Sequence, residues 1–140
     1  MNVVIRTALA ILFALELVVG AWNAFLPESF YTDFPTVDLT PPFSEHYARD
    51  FGGATLGLAL LLGIALVRPR AHFVIPAAAA YSLFSVPHFF FHLTHMDHAT
   101  TGEAVLLTSA NAAFALIGLA LVPLTVMRDR REARRVEAAP

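Results

Sequence analysis

Residues 73–103 read FVIPAAAAYSLFSVPHFFFHLTHMDHATTGE. From Phe73 to Leu93 there is no Asp, Glu, Lys or Arg, and roughly 20 mostly apolar residues are what a helix needs to cross a bilayer. That run ends in four imidazoles, His88, His92, His95 and His98. Polar rings are costly in hydrocarbon and mark function or interior packing when they occur there. The stretch therefore decides the fold and poses the functional question together.

Working outward, three more segments qualify as spans. They run from about Val4 to Leu26, from Phe51 to Val67 and from Glu103 to Met127. The second is short as an apolar run, but Ser44 is a suitable N-cap and lets that helix begin at Glu45. Arg68–Pro69–Arg70 makes a tight charged turn into the third span. The expectation is an all-α, four-helix transmembrane bundle. Its helices cover about 4–26, 45–67, 73–93 and 103–127, a single membrane domain over residues 1–127, and residues 128–140 form a basic tail. Composition agrees: 57% of residues are hydrophobic and 14% charged, against about half and a quarter in a soluble domain. There is no cysteine, which excludes disulfides, thiolate metal sites and covalent c-type haem. The first segment is not read as a cleaved signal peptide, because it lacks a small-x-small site and carries Glu16 within the apolar run.

Charge sets the expected topology. Arg6, Arg68, Arg70, Arg128, Arg130, Arg131, Arg134 and Arg135 fall on one side of a four-span chain, and only Arg49 on the other. The positive-inside rule makes this a multi-pass protein of the cell (plasma) membrane with cytoplasmic N- and C-termini. The loops 27–43 and 94–102 are then external. All histidines except His72 lie at or near that external face, together with Glu28, Asp33, Asp38, Glu45, Asp50, Asp97 and Glu103. The tail RDRREARRVEAAP reads as a solvated helix end beside anionic headgroups. The proline- and aromatic-rich 27–43 loop shows no helical or strand period, and its Phe30, Tyr31 and Phe34 suit the headgroup level or a lid over the bundle.

His88, His92 and His95 are spaced i, i+4, i+7 and share a helix face with Ser85, Tyr81 and Ala78. Pro87 removes the amide that would bond the Leu83 carbonyl, loosening the helix there. On the second span His46 and Asp50 are i, i+4, and their face continues through Gly53 and Gly57, a GxxxG spacing that predicts close approach of another helix. Glu16, with Gly20 and Asn23 on its face, lies roughly 15 Å inside its helix end and has to find a partner in the interior. Asn111 lies roughly 12 Å inside its own.

Imidazoles and a carboxylate paired at i, i+4 on two helices are how bundles hold metal ions. The leading expectation is therefore a divalent metal (Zn, Fe, Cu or Mn) held by His46, Asp50, His88 and His92. His95 serves as a further ligand or donor, and Glu16 and Asn111 orient the ligands from below. Haem b is a variant, with His46, His88 or His92 on iron and Gly52, Gly53 and Gly57 leaving room. Catalysis would need an open coordination position, which no sequence feature supplies. Two other classes fit the same residues. One is an accessory subunit of a homo-oligomer or larger membrane complex with structural histidines. The other is a quinone- or lipid-binding protein in which a His and a carboxylate hold a head group. His72 beside Arg70 and His98 beside Asp97 read as interfacial and solvated. No nucleotide loop, nucleophile triad or nucleic-acid patch is present, so the bilayer is the one partner the sequence requires.

The stretches SEHYARDFGG and PHFFFHLTH, preceded by FYTDFP, resemble a pattern in a family of uncharacterised small four-span membrane proteins of high-GC bacteria. The resemblance implies a four-helix membrane bundle and brings no activity or catalytic residue with it.

Overall fold

The computed structural model describes residues 1–39 and 42–139. Thr40 and Pro41, within the expected external loop, and Pro140, the end of the tail, lie outside the described residues. The elements in order are α1 (Asn2–Phe25), α2 (Pro27–Asp33), a 3-10 turn (Val37–Leu39), α3 (Glu45–Val67), α4 (Ala71–Thr94) and α5 (Thr101–Glu137). No strand occurs among the described residues. Four helices, α1, α3, α4 and α5, are long and apolar enough to cross a membrane.

The helix starts follow local chemistry. Ser44 caps α3 as expected, its Oγ accepting from the Tyr47 amide at 3.4 Å. Thr100 and Glu103 form a reciprocal capping box that opens α5. The 27–43 loop is a correction: it contains a true helical turn, α2, with Pro27 in its first turn and Glu28 beside it. Proline there is preset for a helix and loses no bond, and seven residues are too few for a period to show. α4 stays helical through both Pro76 and Pro87, and α5 continues through the basic tail to Glu137.

Around the bundle, α1 packs on α3, α3 on α4, α4 on α5, and α5 back on α1, with α1 and α4 across one diagonal. Both termini lie at one end. At that end the core is apolar, built from Ile5, Leu9, Leu12, Leu62, Ala65, Val74, Ala77 and Leu121. Outward-facing Leu60, Leu61, Leu83, Phe90, Leu116 and Leu119 are exposed, an arrangement that suits hydrocarbon rather than water.

Two polar devices fasten the ends. At the termini end the buried Arg128 donates to the Pro69 carbonyl at 2.6 Å and to Asn2 Oδ1 at 3.5 Å. It thereby ties α5 to the α3–α4 turn and to the chain start, and pairs with Asp129 at 2.7 Å. At the far end Arg49 Nη1 donates to the Ala24 carbonyl at 2.7 Å while its Nε and Nη2 hold Glu45. One of the carbonyls left open at the end of α1 is satisfied this way.

The closest helix crossing is between α1 and α3. A Cβ on Gly20 would sit 2.9 Å from the Leu56 amide nitrogen, and one on Gly52 would collide with the Ala24 backbone and lie 2.8 Å from the Gly20 carbonyl. Glycine is required because backbone meets backbone. The expected GxxxG contact is overturned: Gly53 and Gly57 are exposed, and a Cβ on either meets nothing within 4 Å. α3 is turned so that Gly52, Thr55, Ala59 and Leu62 face inward, which carries the His46–Asp50 face outward.

The neighbouring glycines should therefore respond oppositely. Gly52→Ala should cost about 1–3 kcal/mol through overpacking, whereas Gly53→Ala should be neutral or stabilise by up to about 1 kcal/mol. Unfolding midpoints in detergent measure both, and equal shifts would contradict the crossing described.

Candidate functional site

In the half of the bundle away from the termini, the interior changes character. Glu16 and Asn23 of α1, Thr55 of α3 and Ser85 of α4 are all buried there, with exposures of 3, 4, 2 and 5%. α5 contributes no buried residue before Ala115, and α4 none beyond Ser85. The polar groups thus stand where the packing of α4 and α5 thins out.

α4 supplies most of the site. Tyr81, Ser85, His88 and His92 fall at i, i+4, i+7 and i+11, one face over about 16 Å of helix. The Tyr81 ring packs against α5, where a Cβ on Gly118 would be 2.6 Å from it. The His88 ring stacks on Phe84 at 5.1 Å, and Phe84 packs on Phe51 of α3 at 5.8 Å. His88 and His92 meet edge to face at 4.5 Å.

Hydrogen bonding sets some of the polar side chains apart from others. Ser82, Thr94, Asn111 and Thr125 each donate to the carbonyl four residues back in their own helix, at 2.7–3.0 Å. This is how polar residues are made harmless inside spanning helices. Glu16 Oε2, Ser85 Oγ and His92 Nδ1 are buried with no hydrogen-bond partner among the described residues. Such atoms cost about 1–3 kcal/mol each when left unpaired, and natural structures keep few of them without reason.

The residues expected as metal ligands divide accordingly. His88 and His92 are brought together and partly buried. His46 Nε2 and Asp50 Oδ2 meet at 3.4 Å, but their side chains are 90 and 68% exposed on the outward face of α3. His95 is exposed, with Nδ1 donating to the Phe91 carbonyl at 2.9 Å and the ring stacked on Phe91 at 4.2 Å. That places it as a cap on the last turn of α4. Asn111 is satisfied within its own helix, and Glu16 points into the interior as its depth required. Among the described residues no three His, Asp or Glu side chains are grouped as a metal-holding set. Thr55 is the interior polar residue that sequence reasoning missed; its one signal was its position three residues after Gly52.

Beside the site, Trp22 Nε1 donates to Ser29 Oγ at 3.1 Å, and Ser29 Oγ to Asp33 at 2.8 Å. Phe30 and Phe34 pack edge-on to Trp22 at 5.8 and 6.1 Å. α2 is thereby folded against the end of α1, and of the three loop aromatics Phe30 becomes a buried wedge.

Comparison with protein-family models, curated proteins and solved structures finds no match to this chain.

If Glu16 is kept for a bound molecule rather than for folding, Glu16→Met should raise the thermal midpoint in detergent, by the equivalent of about 1–3 kcal/mol. A fall of that size would assign Glu16 a structural partner instead.

Proposed function

We propose that this is a multi-pass plasma-membrane protein, both termini cytoplasmic, that binds an amphipathic molecule in the extracytoplasmic half of its interior. The orientation rests on the arginine asymmetry. The binding reading rests on one observation: Glu16 Oε2, Ser85 Oγ and His92 Nδ1 are buried with no hydrogen-bond partner among the described residues, whereas Ser82 and Asn111 bond their own helices.

Those three atoms supply an acceptor, a hydroxyl that both donates and accepts, and an imidazole nitrogen. Ser85 and His92 stand about 10 Å apart along α4, so a head group with more than one hydroxyl or carbonyl oxygen is needed to reach them, and a quinol and a glycerol-based lipid share that chemistry. His88, clamped on Phe84, would position its neighbour His92, and Phe51 and Phe84 would give the head group an apolar wall. The tail would leave between α4 and α5, where buried residues run out. Pockets of this kind are mostly apolar with a few convergent polar groups. No reaction step is implied by these residues.

Solvent extraction of protein purified in mild detergent, followed by mass spectrometry, identifies a retained quinol or lipid and separates the two sources. Adding back a short-chain quinol or a monoacylglycerol should then stabilise the protein, with affinity reduced about tenfold or more in Glu16→Gln and in His92→Phe. Each loses a hydrogen bond to a buried group. A preparation holding stoichiometric Zn, Fe, Cu or Mn, lost on His88→Ala, would replace this reading with the metal one. A Soret band would select haem. A ligand-free protein that purifies only with other subunits would replace it with the accessory-subunit reading.

A further inference from the structure

The end that carries both termini has its own polar feature, unrelated to the interior site. A groove of about 400 Å³ opens there between α1, the α3–α4 turn and α5. Arg6 lines it from α1, and Arg70 and His72 from the start of α4, with Arg128 at its floor. Its two carboxylates, Asp129 and Glu132, stand on the α5 side, and Asp129 is already engaged by Arg128. Arg6 and Arg70 form no ion pair among the described residues.

Two helices add to this positive field. α1 and α4 both begin at the groove, neither has a side-chain cap, and neither carries an acidic residue in its first turn. Helix starts present free amides and the positive end of the dipole, which favour an anion. On the membrane side of the groove the surface turns apolar at once, with Val3, Val4 and Val67 exposed by 77, 56 and 73%. A basic recess at the boundary of a spanning bundle, with bare apolar surface beside it, matches a molecule that is phosphate at one end and hydrocarbon at the other.

We infer that this groove is a binding site for the phosphodiester head group of an anionic phospholipid. The phosphate lies between the Arg6 and Arg70 guanidinium groups, and the acyl chains run along Val3, Val4 and Val67. Arg128 holds the floor in place through Pro69 and Asn2 and is a positioning residue.

Native mass spectrometry of the full chain, titrated with phosphatidylglycerol or with phosphatidylcholine of the same acyl chains, tests the inference. One phosphatidylglycerol per chain should be retained at least tenfold more tightly than phosphatidylcholine. Arg6→Gln with Arg70→Gln should abolish that preference, since each cation near a lipid phosphate is worth roughly a fivefold effect. Both side chains are exposed, so the double variant should fold, and an unchanged melting curve in detergent is the check. Arg134→Gln with Arg135→Gln, on the exposed tail, should change retention less than twofold. Equal retention of the two lipids would overturn the inference. So would an unaffected double variant, or an equal loss from the tail variant. Displacement of the lipid by millimolar inorganic phosphate would show a site for a free anion rather than for a lipid.

Discussion

The bundle depends on a contact of backbone against backbone. Gly20 of α1 and Gly52 of α3 let two backbones touch, and the Ala24 backbone closes the gap. Inside a bilayer, burying apolar surface gives no advantage over lipid, so helices associate through close packing and hydrogen bonds. Arg49 fixes the same crossing by donating to the Ala24 carbonyl. With α1 and α3 locked, Glu16, Asn23 and Thr55 are carried into the interior. The His46–Asp50 edge of α3 is carried out of it. One crossing thus decides which polar residues can act together.

The two halves of the molecule divide the labour. Near the termini, interdigitating aliphatic side chains and the Arg128 clamp make a stiff base. Toward the other end, aliphatic packing gives way to Tyr81, Ser85, His88 and His92, a polar face whose members are not all satisfied by one another. Unpaired buried groups lower stability, and a molecule with a well-packed base can carry them.

What the sequence revealed follows from what membranes constrain. Run length found all four long apolar helices, because hydrocarbon thickness sets it, although α5 continues ten residues beyond the expected end at Met127. The Ser44 cap and the depth of Glu16 were equally readable, since each depends on local spacing. The rotation of α3 was not. Gly52 and Gly53 differ by about 100° around the helix, and in a helix apolar on every side nothing in the periodicity says which faces inward. The GxxxG pattern pointed to Gly53 and Gly57, and the steric fit chose Gly52. His46 and Asp50 followed that rotation outward, and the expected four-residue ligand set was thereby separated onto two surfaces. Arg128 escaped notice because it was read with the tail, although it is the first residue after the span and lies buried.

α5 is continuous for 37 residues, from Thr101 to Glu137, about 55 Å at helical rise and well beyond a hydrocarbon core of about 30 Å. Its last turns therefore do not trail as a tether. A flexible tail of the same composition would sweep a cloud of positions, whereas this one behaves as a stylus, rigidly fixed to the bundle. Because Arg128 grips it at the base through the Pro69 carbonyl, the direction of the basic end is set by the α3–α4 turn.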